Sequence, residues 1–196
     1  MNIFDFFRDK GFIQVIHIFA TWFLTALVLS WLANMGEKPN QLSVVLETLI
    51  EDRSYEIIGL MGMLVIGFSI ILNSVQIHDD TRMRATRWLS GFLSEAGKGL
   101  AFVPSSLAAF VIGLIVFSSG GQDDTQITGL VVLASAVFLC FGSLVWTAII
   151  ADPKSGSRYS DGLYGAQPKY RYMIGTVFIL VAFCIIWIMA HTAPNP

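Results

Sequence analysis

The sequence predicts an all-α integral membrane protein with five transmembrane helices, and three observations predict it. The 196 residues are 55% hydrophobic and only 13% charged, with a mean hydropathy of +0.67, too apolar for a water-soluble domain. Five stretches, at about 12–33, 57–77, 100–118, 127–151 and 173–190, contain no Asp, Glu, Lys or Arg. At about 1.5 Å per residue each comes close to the roughly 30 Å hydrocarbon thickness of a bilayer. The basic residues then alternate from side to side across these stretches, as the preference of Lys and Arg for cytoplasmic loops requires.

That alternation orients the chain. Arg8, Lys10, Arg82, Arg84, Arg87, Lys98, Lys154, Arg158, Lys169 and Arg171 fall on one side, whereas only Lys38 and Arg53 fall on the other. The expected topology is N-terminus in and C-terminus out, in a cell membrane of the bacterial inner-membrane type. One missed or invented span would scramble the later loops, so the charge pattern supports the span count as well. Helices rather than barrel strands are expected, because the stretches are uniformly apolar and backbone groups in lipid must bond within their own segment. The whole chain, 1–196, reads as one five-span domain. Span one continues to Trp31 and ends Ala33-Asn34-Met35 without a small-residue cleavage site, so it reads as a retained anchor. Cys140 and Cys184 both lie within spans, where a disulfide framework is not expected.

Between the spans, two further helices are expected. On the inner side, at about 81–97, Ala85, Trp88, Leu89, Phe92, Leu93 and Ala96 repeat at helical spacing and make one apolar face, with Arg84, Arg87, Ser90, Ser94 and Glu95 on the other. This predicts an interfacial helix whose candidate membrane-contact or docking residues are Arg84, Arg87, Trp88 and Phe92. On the outer side, Leu42, Val45, Leu46, Leu49 and Ile50 predict an amphipathic helix at about 41–52. A shorter interfacial anchor is expected at the N-terminus from Ile3, Phe4, Phe6 and Phe7. The cytoplasmic stretch 152–172, rich in Gly, Tyr and basic residues, shows no helical or strand period and reads as a long loop that binds a partner.

Candidate chemistry is sparse. There is no metal-ligand spacing, nucleophile elbow, catalytic carboxylate pair, dinucleotide loop or nucleic-acid signature. The sequence is therefore read as non-enzymatic, with no catalytic, cofactor or metal residues. Ser155-Gly156-Ser157-Arg158 matches no phosphate-loop pattern, and consecutive His78-Asp79-Asp80 suit capping better than metal binding. The polar residues inside the spans are more informative. Gln14, His17, Thr21 and Thr25 share one face of span one, and Ser69, Asn73 and Gln76 share one face of span two. Counted along the helices, His17, Asn73 and Ser105 all lie roughly 6–8 Å inside the inner interface. A candidate inner-leaflet polar cluster of Gln14, His17, Asn73, Gln76 and Ser105 follows. Its first reading is interhelical hydrogen bonding. The second is a polar cavity or pore mouth with His17 as a titratable gate. Ser105, Ala109 and Gly113 form a small-residue ridge suited to close helix packing, within the chain or against another subunit.

With no charge inside a span and an odd span count, an ion-coupled transporter is a poor fit. The expected function is a non-enzymatic membrane subunit that scaffolds or anchors a larger complex of secretion, conjugation or defence type through its basic cytoplasmic loops. A subunit of an oligomeric channel is the alternative. The expected partners are the lipid bilayer and other subunits, in a homo- or hetero-oligomer, and no nucleic acid.

Overall fold

The structure is a computed structural model and describes residues 3–35, 54–78, 84–118 and 124–192. Seven helices account for nearly all of them: α1 (Ile3–Phe7), α2 (Lys10–Met35), α3 (Ser54–His78), α4 (Arg84–Ser118), α5 (Asp124–Ala151), α6 (Arg158–Gly165) and α7 (Pro168–Thr192). Five of these, α2, α3, α4, α5 and α7, are long and apolar enough to cross a membrane. The expected outer helix at 41–52 lies outside the described residues, as do Asp79 and Asp80.

Two expectations are corrected. The predicted interfacial helix at 81–97 and the third span at 100–118 form a single continuous 35-residue helix, α4. Nothing between residues 97 and 100 stops a helix, since lysine is a good helix former, and the Lys98 ammonium meets Asp152 at the end of α5. The second correction concerns 152–172, which is not an irregular loop. Gly156 turns the chain at φ +65°, and Ser157 then caps α6 by accepting from the Tyr159 N–H. Pro168 opens α7 from its first turn, where a missing N–H costs nothing. The capping serine and the proline are short-range signals that periodicity does not register.

Helix α4 is the hub. It packs extensively against α2, α3 and α5, while α7 packs on α3, so that α2, α4, α3 and α7 follow one another across the molecule with α5 laid against α4. The main core joins Ile66 and Ile70 of α3, Ala101 of α4 and Phe141, Leu144, Val145, Ala148 and Ile149 of α5. It lies toward the end where α3 and α5 finish. Pro104 is buried within α4 and leaves the Leu100 carbonyl without its helical donor. The bare Gly62 backbone of α3 lies opposite that carbonyl.

Two crossings are set by small residues. A Cβ placed on Gly67 would sit 2.9 Å from the Gly175 carbonyl oxygen, and one on Gly175 would sit 2.9 Å from that of Gly67. Helices α3 and α7 therefore touch backbone to backbone, the geometry that favours close van der Waals packing in lipid. At the other crossing, Gly113 faces Ala26 and the Phe23 carbonyl of α2. The ridge of Ala109 and Gly113 is thus engaged inside the chain. Gly175→Leu should drive α7 off α3 and cost about 1–3 kcal/mol or more, as overpacking does. Reversible unfolding in mild detergent would measure this, and an unchanged unfolding midpoint would refute the close crossing.

Candidate functional site

The polar residues gather where α3 and α5 end and α6 and α7 begin. Asn73 is at the centre. Its Nδ2 lies 3.1 Å from Ser94 Oγ, 3.2 Å from Ser69 Oγ and 3.3 Å from the Ala151 carbonyl, and its Oδ1 accepts from Ser90 Oγ at 2.6 Å. Ser69 and Ser94 hydroxyls meet at 2.9 Å. One amide side chain thereby fastens α3 to α4 and to the end of α5. The spacing explains why: Ser69 and Asn73 are four apart on α3, Ser90 and Ser94 four apart on α4, so two pairs stack on facing helices. Ser90 Oγ also lies 3.0 Å from Gln76 Oε1. A hydroxyl carries one proton, and the shorter contact to Asn73 takes it. Gln76 Nε2 is buried with no hydrogen-bond partner among the described residues.

Below this network sits the ion pair. The Lys98 ammonium bridges to Asp152, whose side chain is 6% exposed, and reaches Glu95 at 3.4 Å. Asp152 Oδ1 also accepts from the Lys154 N–H at 3.1 Å, which fixes the turn leaving α5. Tyr164 of α6 donates its hydroxyl to the Ala151 carbonyl, the acceptor that Asn73 also uses. Burial pushes the Tyr164 phenol up to about 12, with the Asp152 carboxylate adding to the rise and the Asn73 contact and Arg171 opposing it. Arg171 opens α7 and is 4% exposed, and its Nε and Nη1 find no acceptor among the described residues.

A second joint ties down the N-terminus. Asp9, 7% exposed, accepts from the Gly11 N–H at 2.9 Å, from Ser157 Oγ at 3.2 and 3.3 Å and from the Arg158 N–H at 3.1 Å. Phe6 stacks near Phe12 and Trp146, and Trp146 near Tyr159, with ring centroids 4.6, 5.7 and 5.4 Å apart. A single carboxylate therefore caps α2 and the start of α6 together, and aromatic rings seal α1 over both.

Beside the Asn73 network a cavity of about 410 Å³ opens at the surface, lined by Asn73, Gln76, Arg87, Ser90, Asp152 and Lys154 among others. It does not continue through the molecule along this core, because Ile66, Ile70, Val145 and Ile149 above it are at most 1% exposed.

Of the predicted polar cluster, the structure brings together Asn73 and Gln76 and separates the rest. Gln14 and His17 are exposed on the side of α2 that faces away from the bundle. Equal depth does not imply a shared face, and α2 turns the opposite face, with Val15 and Ala26, inward. Ser105 is buried, its hydroxyl without a partner among the described residues. Arg84, Arg87, Trp88 and Phe92 are all exposed, and the Trp88 and Phe92 rings stack at 5.6 Å. Sequence reasoning missed Ser90 and Ser94 as network members, the Lys98–Asp152 pair and the capping role of Asp9. The oppositely charged residues at adjoining helix ends were the available signal for the ion pair.

These features define a class: among the described residues, an all-helical protein with five helices long and apolar enough to cross a membrane and a hydrogen-bonded polar cap at one end. Comparison with models of known families, with curated proteins and with solved structures finds no match.

Replacing Lys98 strands the Asp152 carboxylate, whereas replacing Asp152 leaves Lys98 beside Glu95. Lys98→Met should lose about 3–5 kcal/mol, Asp152→Asn less, and the double replacement should recover much of the larger loss; equal losses in all three variants would refute coupling. Tyr164 supplies a pH test. Its folded pKa exceeds its unfolded value near 10, so its contribution is intact below pH 10 and is lost as pH rises through about 12. Ultraviolet titration should show one late-ionising tyrosine that is absent in Tyr164→Phe.

Proposed function

We propose that the chain is a multi-pass membrane protein of a bacterial-type inner membrane, with its N-terminus and polar cap in the cytoplasm and its C-terminus outside. It serves as a non-enzymatic subunit that anchors or scaffolds a larger membrane complex. The observation that carries this reading is the division of labour at the capped end. The buried polar groups mostly bond one another and tie helix ends together, while cations outnumber anions among the exposed groups, with Arg84, Arg87, Lys154, Arg158 and Lys169 against Asp5, Glu95 and Asp161. A rigid basic face suits either anionic headgroups or an acidic partner. The exposed Trp88–Phe92 stack at its edge suits an interface where aromatic rings meet both apolar and polar surroundings.

The polar cavity favours one alternative, a subunit of an oligomeric channel. Since the core above the cavity is closed within a single chain, such a pore would run between copies.

Topology and partnership are tested together. Alkaline phosphatase fused after Pro196 should be active and a fluorescent protein there dark; the reverse would sink the orientation. A tagged chain should co-purify with membrane-complex subunits in mild detergent, and Lys154→Glu with Arg158→Glu should strongly reduce their recovery. The purified chain should pass no ions in liposomes; conduction would favour the channel reading.

A further inference from the structure

The polar stripe of α2 points in the wrong direction for a monomer in lipid. Resting on the membrane reading above, we infer that α2 pairs in parallel with α2 of a second copy of this chain, along a seam formed by Gln14, His17, Thr21, Leu24, Val28 and Trp31. Three observations carry the inference.

First, these six residues follow one another at alternating steps of three and four, the spacing of a two-helix seam. All six are exposed, with Leu24, Val28 and Trp31 still at least half so. They lie about half a turn round the helix from Val15, Ala26 and the face that packs on α4 and α5. Of the five long helices, α2 is the least buried.

Second, the stripe is polar at depth. His17 lies seven residues past Lys10, about 10 Å along the helix. The Thr21 and Thr25 hydroxyls each donate to the carbonyl four residues back at 2.8 Å and need nothing further. Gln14 and His17 side chains have no hydrogen bond among the described residues. An amide and an imidazole facing acyl chains are unfavourable, and in membranes such groups face other helices.

Third, the complement is available in a copy of the same chain. Copies inserted with one topology are related by an axis along the membrane normal, which sets each residue opposite its own depth in the partner. Glutamine and neutral histidine each carry a donor and an acceptor, so Gln14 and His17 satisfy their own counterparts with no second protein required. The Gly113 and Gly67 ridges are already engaged within the chain, whereas Gln14 and His17 of α2 have no hydrogen bond among the described residues.

The test is a cysteine scan in native membranes, in a background carrying Cys140→Ala and Cys184→Ala, both of which are exposed thiols in the parent chain. Under mild oxidation, dimer cross-linking should peak for Gln14→Cys, Thr21→Cys and Val28→Cys and fall to a minimum for Val15→Cys and Ala26→Cys. Differently tagged copies should co-purify, and joint Gln14→Leu and His17→Leu replacement should weaken that association about tenfold. A membrane-embedded chain that cross-links nowhere along α2, or only to a different protein, overturns the seam. A chain washed from membranes by carbonate overturns the membrane reading instead.

Discussion

A charge carried inside a helix bundle must find its partner there, and the pairing of Lys98 with Asp152 is the interaction from which the capped end is built. Without it, the Lys98 ammonium would have only the exposed Glu95 beside it and the Asp152 carboxylate would be buried without a cation. Helix α4 runs unbroken from Arg84 to Ser118 and meets α2, α3 and α5 along one rod. The same carboxylate ends α5 and steers the chain into its turn. Asn73 then reinforces the junction from the α3 side, so that electrostatics and hydrogen bonding act on the same few ångströms of structure.

Much of the fold was legible in the sequence. Hydropathy located all five long helices, but the start of α4 lies well before the expected 100, at Arg84; the others agree to within about five residues at either end, because each apolar stretch has no competing use in water. The internal boundary at Lys98 was misread for a physical reason: a local pattern cannot tell a charge that is solvated from one paired with Asp152, fifty-four residues away. The helical segment within 152–172 was hidden for the opposite reason. It is only eight residues long and polar on average, so its inward side, Tyr159, Ser160, Leu163 and Tyr164, is too short and too mixed to read as an apolar stripe, and caps and the Tyr164 hydroxyl help to hold it. The polar cluster was half legible. Asn73 and Gln76 share a face and stayed together, whereas Gln14 and His17 matched them in depth but not in direction.

The molecule divides its surfaces by chemistry. Toward the middle and the α3–α7 crossing, glycine backbones in contact make a bundle that resists insertion of even one methyl group. At the capped end, most buried polar side chains bond one another, with Lys98 and Arg171 held inside and further cations outside. Along α2 and α7, large apolar residues such as Leu24, Val177 and Trp187 stay uncovered. Surface of this kind suits lipid or another apolar partner.

The Asp9 joint has a consequence for the order of assembly. Its carboxylate reaches across 148 positions of sequence to Ser157. The cap on α2 itself is local, since the Asp9 carboxylate accepts from the Gly11 N–H two residues on and needs no later segment. What waits is the joint: only once Ser157 and Arg158 have been made can the same carboxylate also hold the start of α6. The late 157–158 turn therefore docks onto a helix end that is already closed, and Asp9 serves first as a cap and then as an anchor.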